Sequence, residues 1–199
     1  LSANVALAVN PNLKYCEVEL QGEELPVIVC VDVLRVLEGK KYRVVKKFTG
    51  KELEGLSYKP ILSGLEVQEQ IERKIVLWDA VDPSEGTGVV HIAPGCGRED
   101  HELGINLDLE TLSPVDDQGI YLSGYGWLEG KAAVSSAKEI IAHLRGNNKL
   151  FRHYMHKHSY PICWRCKNEL IFRLVDEWFI GCKDIRPAMI KASAKAKWQ

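Results

Sequence analysis

Short apolar runs, broken every few residues by turn formers, dominate the chain and predict many short strands with few helices. Asn4 to Val9 is apolar and stops at the turn Asn10-Pro11-Asn12. Tyr15 to Leu20 alternates, with Glu17 and Glu19 facing away from Cys16 and Val18. Leu25 to Val33 reads as a strand leading into a short helix, Asp32 to Leu37. Tyr42 to Phe48 and Lys74 to Ala80 read as strands, and Thr49 to Leu56 as a loop. Val89 to Ala93 is an apolar run interrupted by His91 and bounded by glycines. Asp100 to Leu107 predicts a short helix, and Pro114 to Gly119 contains a turn. Lys131 to Leu144 has the clearest helical period, with Ala133, Ala137, Ile140, Ile141 and Leu144 on one face and Gly146-Asn147-Asn148 ending it. A strand over Glu169 to Val175 and an amphipathic helix from Asp184 complete the pattern. These elements predict a β-barrel-like α+β domain with peripheral helices.

At 199 residues, the length suits one large domain or one domain with an appendage. The balance of 26 basic and 27 acidic residues gives no global basic field, so any RNA contact must come from local patches. No apolar run approaches the roughly 20 residues that cross a membrane, so no membrane partner is expected. Of six cysteines, only Cys163 and Cys166 have a motif-like spacing. The scattered remainder suits reduced thiols and a cytoplasmic setting. Both ends read as cuts through a longer polypeptide.

Candidate chemistry concentrates in Gly86 to Asp100, a strand closed at each end by a Gly-rich turn. His91 faces the same way as Val89 and Ala93, and reads either as a core histidine or as the wall of a pocket. Asp100 opens a helix, where a carboxylate caps free N–H groups, or it binds a cationic ligand. Cys96 reads as a small apolar filler, since nothing in the sequence lowers its thiol pKa. Cys163-Trp164-Arg165-Cys166 has the spacing of a zinc knuckle. A structural zinc takes four ligands; one pair supplies two, and His156 or His158 could add a third. Arg152 and Lys157, among His153, His156, His158, Phe151, Tyr154 and Tyr160, form the patch most like a tRNA-binding surface, with a solvated basic face as the alternative.

Gly86 to Asp100 closely resembles the Gly-Thr-Gly-x-Val-His-x-Ala-Pro…Asp signature of the editing (connective-peptide) domain of class I isoleucyl-tRNA synthetases. Leu1 to Pro11, Pro114 to Tyr121, His158 to Cys166 and Glu177-Trp178-Phe179 match in order, so the similarity covers essentially the whole chain. His91 and the Cys-Trp-Arg-Cys run favour the isoleucyl branch over the valyl and leucyl ones. A non-catalytic tRNA-binding module is the alternative of another class. One methylene is worth only about 1–3 kcal/mol in a hydrophobic pocket, a value established on isoleucine and valine themselves, and editing is the remedy.

The resemblance implies hydrolysis of valyl-tRNA(Ile), with valyl-adenylate as a second candidate substrate, and no cofactor in the site. It assigns the substrate ammonium to Asp100 and the size-limiting wall to His91. Asn4 is placed at the tRNA end, and Gly86, Thr87 and Gly88 at the rim. Its partners would be the acceptor end of tRNA(Ile), the valine moiety and the rest of the synthetase chain, with a structural zinc in the parent enzyme. A threonine-rich strand is expected just ahead of Leu1, forming the other wall. The implied division is an editing domain at 1–155, a Cys-x-x-Cys junction at 156–182, and a helix from 183 returning to the catalytic core, packed there by Trp164, Trp178 and Phe179. Ligase activity is not expected, because no Gly-x-Gly-x-x-Gly or Walker-type loop and neither nucleotide signature of the family is present.

Overall fold

The computed structural model describes residues 1–84, 86–155 and 159–197. Two three-stranded sheets form its centre. In the first, β1 (Ala6–Val9) lies between β5 (Lys74–Leu77), which runs parallel to it, and β6 (Val89–Ile92), which runs antiparallel. In the second, β2 (Lys14–Leu20) lies between β3 (Val27–Cys30) and β4 (Tyr42–Thr49), both antiparallel to it.

Central β1 is buried on both faces, as its unbroken apolar sequence requires. Ala6 and Ala8 join Val5, Val81, Ile92 and Leu103 on one side. Val9 packs with Tyr15, Cys30, Val33 and Leu53 on the other. Along β2 the predicted alternation places Cys16, Val18 and Leu20 against Val29 and Leu37.

The described residues also form α1 (Glu66–Glu69), α2 (Arg98–Leu107), α3 (Ala137–Gly146) and the fully exposed α4 (Arg186–Ser193). The helix predicted over Lys131 to Leu144 is in fact a 3-10 turn, Ala133–Ser135, followed by α3. Ser136 Oγ donates to Ala132 O at 2.8 Å, a local bond that competes with regular helix. Leu144 is still buried, with Ile140 packed beside it, as the period predicts. The predicted loop Thr49 to Leu56 contains a 3-10 turn, Gly50–Leu53, started by a Thr49–Glu52 capping box. Glu169 to Val175 does not form the predicted strand. Only the bridge Ile162–Glu169 forms there, because no neighbouring strand offers a ladder to the rest. Among the described residues, no helix is long and apolar enough to cross a membrane.

Candidate functional site

β6 carries His91 opposite Leu7, while the next residue, Ile92, pairs with Ala6 and is fully buried. The alternation of the strand thus turns His91 away from the Ile92 core. Its side chain is open to solvent, yet the protein mass around it is dense enough to push the imidazole down to about 4. Desolvation is the main cause, and the Asp100 carboxylate opposes it. The exposed ring is not a core residue. The imidazole is therefore neutral at pH 7.

The chain then turns sharply through Pro94-Gly95-Cys96-Gly97 into α2. The Cys96 N–H donates to Ala93 O at 2.9 Å. Gly95 has no room for a side chain, since a Cβ there would lie 1.9 Å from Leu112 O. The turn brings Asp100, in the first turn of α2, back to the end of β6, where its Oδ2 accepts the Ala93 N–H at 2.8 Å. Asp100 thus caps the strand rather than its own helix. Its Oδ1 makes no bond within the described residues and remains available. Cys96 lies in the same cluster; burial, with the Asp100 carboxylate adding to it, raises its thiol pKa. That fits a filler and not a nucleophile.

The other predicted residues fall elsewhere. Gly86, Thr87 and Gly88 sit at the opposite end of β6, about 13 Å along the strand from His91. There they join the two sheets: the Cys30 N–H donates to Thr87 O at 2.8 Å, and Tyr15 Oη donates to Gly88 O at 2.7 Å. Asn4 is fully buried with both ends of its amide engaged. Its Nδ2 donates to Ala6 O at 2.7 Å, and its Oδ1 accepts from Tyr58 Oη at 2.7 Å. Asn4 therefore shapes the segment ahead of β1 from within.

Sequence reasoning missed the residues that pin this segment beside the cluster. Gln68 Nε2 donates to Ser2 O at 2.6 Å, and Ser2 Oγ bonds Tyr121 Oη at 3.1 Å. Burial pushes the Tyr58 and Tyr125 phenols up to about 12, and Tyr125 feels Cys96. The Ser2–Tyr121 contact spans 119 positions and leaves no local signal in the 114–121 motif.

Arg152 folds back on the domain, donating to Val36 O at 3.2 Å with its guanidinium 5.7 Å from the Tyr154 ring. Lys157, His156 and His158 lie outside the described residues. Cys163 and Cys166 form a knuckle turn in which the Cys163 N–H donates to Asn168 O and the Lys167 N–H to Cys163 O, both at 2.8 Å. The backbone N–H groups of Cys166 and Arg165, with the Cys166 thiol, lower the Cys163 pKa. This chemistry suits a metal-ligating thiolate. Among the described residues, however, no third His, Cys, Asp or Glu joins the pair, so they offer two ligands of a tetrahedral four.

No protein-family model matches the chain. Isoleucine--tRNA ligases do, along its entire length. That of Methanothermobacter thermautotrophicus is 35% identical over 199 residues, which is 19% of that protein. The Moorella thermoacetica and Pyrococcus furiosus proteins are 36% and 40% identical, again over the whole chain, which covers 21% and 20% of them. The chain thus spans about a fifth of the length of these relatives. Among solved structures, GlLeuRS-CP1 aligns with a TM-score of 0.63 at 11% identity, over 78% of this chain and 80% of that one. The editing domain of the P. knowlesi cytosolic leucyl-tRNA synthetase aligns with a TM-score of 0.55 at 12% identity, over 74% and 78%. The chain is therefore homologous, along its entire length, to a one-fifth segment of isoleucine--tRNA ligases, and its fold is that of the CP1 editing domain of the class I tRNA synthetases.

Proposed function

We propose that this chain is the editing unit of an isoleucyl-tRNA synthetase and hydrolyses valyl-tRNA(Ile). The observation that carries this reading is the convergence of His91 and Asp100 at one end of β6, with Asp100 Oδ1 unengaged. A substrate ammonium leaving water needs a charged partner, and that oxygen supplies one. A neutral His91 can stand beside that carboxylate without repelling the ammonium. It also gives the wall that an extra methylene would strike. Water then attacks the ester carbonyl, the ester C–O bond breaks, and valine and tRNA with a free ribose hydroxyl leave. Positioning and backbone or hydroxyl donors lower the barrier, and the reading assigns no cofactor to the site.

Residues 151–197 include no buried position among those described, and Trp164, Trp178 and Phe179 are strongly exposed. This supports a boundary near 155, with the Cys-x-x-Cys junction and α4 covered by the rest of the synthetase chain.

The reading is tested by deacylation assays on the full-length synthetase with valyl- and isoleucyl-tRNA(Ile). Valyl-tRNA is expected to be cleared and isoleucyl-tRNA spared. The His91→Ala substitution opens the wall, and the preference for valine is expected to fall by about tenfold or more, the worth of a methylene contact. A His91→Ala enzyme that still spares isoleucine would remove His91 from the sieve.

A further inference from the structure

Charge along the chain is balanced overall but not locally. Residues 40–51 carry Lys40, Lys41, Arg43, Lys46, Lys47 and Lys51 without one acid. This segment is β4 with its flanks, and all six side chains are exposed. Two of the cations are neutralised, Lys40 by Glu23 at 2.9 Å and Arg43 by Glu19 at 2.7 Å. Among the described residues, Lys41, Lys46, Lys47 and Lys51 form no ion pair, although Glu17 stands opposite Lys46 across the ladder and Glu52 feels its charge. Among the described residues β4 pairs only with β2, so its other edge presents unpaired backbone N–H groups, alternating with C=O groups, beside those lysines. Tyr42 and Val45 are also exposed on it, 44% and 48%. Basic side chains, free N–H donors and an interleaved aromatic together fit a polyanionic backbone.

The edge is also held in place relative to the candidate site. β3 bonds to Thr87, β2 bonds through Tyr15 to Gly88, and β4 is two strand spacings, about 10 Å, from β3. The His91 end of β6 lies about 13 Å beyond Thr87.

We propose that the free edge of β4, with Lys41, Lys46, Lys47 and Lys51, takes the phosphate backbone of the tRNA acceptor arm while the aminoacyl end reaches His91 and Asp100. The proposal rests on the editing reading for the identity of the RNA. The competing role for these lysines is to guard an open strand edge against pairing with a second copy.

The test uses the full-length synthetase with Lys41→Glu/Lys46→Glu and, as a neutral counterpart, Lys41→Gln/Lys46→Gln. Binding of tRNA(Ile) is measured from about 50 to 200 mM salt, with valyl-tRNA deacylation and sedimentation alongside. The slope of log affinity against log salt is expected to fall by about 1 per lysine removed. KM for deacylation should rise about tenfold, the loss falling on KM rather than kcat. An unchanged slope and KM in the Glu variant would overturn the proposal. So would a loss of affinity that appears only where sedimentation shows self-association. If the slope falls as expected but the unmodified enzyme clears no valyl-tRNA, the RNA surface stands and the editing reading fails, so the two claims separate.

Discussion

Asp100→Ala in the full-length synthetase is expected to lower valyl-tRNA deacylation by at least about 30-fold. That is the lower end of the 2–5 kcal/mol that follows removal of one member of a buried, hydrogen-bonded charge pair. The same substitution carries a folding cost, because Asp100 Oδ2 holds the Ala93 N–H at 2.8 Å. Orphaning that half-buried donor costs about 1–3 kcal/mol. Asp100→Asn separates the two effects. Its amide oxygen can still accept the Ala93 N–H, so the turn into α2 persists, while the negative charge for the substrate ammonium is gone. The Asn variant is expected to unfold near the normal urea midpoint and yet show most of the loss in single-turnover deacylation. An Asn variant with full activity would confine Asp100 to the cap.

The second large effect falls on stability. Gly88 has a φ of +74°, and a Cβ on it would lie 2.3 Å from Cys30 Cβ. Neither residue can give way easily: the Thr87 carbonyl is bonded by Cys30, and the Gly88 carbonyl by Tyr15. Left-handed strain of about 1–2 kcal/mol adds to an overpacking cost of about 1–3 kcal/mol. Gly88→Ala should therefore destabilise by about 2–5 kcal/mol and lower the melting temperature by about 5–15 °C. Gly86 provides the internal control. Its φ is also positive, at 55°, but among the described residues nothing lies within 4 Å of its Cβ position. Gly86→Ala should show the strain alone. Equal melting temperatures for the two variants would mean that the Gly88–Cys30 contact is not a fixed part of the fold.

Legibility from sequence followed the range of the interaction that decides each element. The strands at Lys14–Leu20, Tyr42–Thr49 and Val89–Ile92 were readable because alternation and β-branched runs are local. The strand expected at Glu169 to Val175 has the right residues but no partner, and partners are not encoded within seven residues. His91 and Asp100 are nine positions apart, and neither strand nor helix periodicity relates them. The Gly-rich turn at Pro94-Gly95-Cys96-Gly97 was readable from its residues, but not that it folds Asp100 back onto the Ala93 N–H. Asn4 shows the opposite limit. A small polar residue ahead of a strand looks like a surface turn, and only Tyr58, 54 positions away, reveals that it is buried. The Gly-Thr-Gly turn was readable as a turn, but its place at the far end of β6 follows from the antiparallel register with β1.

The central claim, that the His91–Asp100 end of β6 discriminates valine from isoleucine while hydrolysing the ester, is tested most directly by one measurement. Single-turnover deacylation of valyl-tRNA(Ile) and isoleucyl-tRNA(Ile) is followed with the full-length synthetase under one set of conditions. The valyl ester is expected to be cleaved at least about tenfold faster, and up to about 200-fold, the range one methylene commands in a hydrophobic pocket. Equal rates for the two esters, or no cleavage of either above the spontaneous rate, would contradict it.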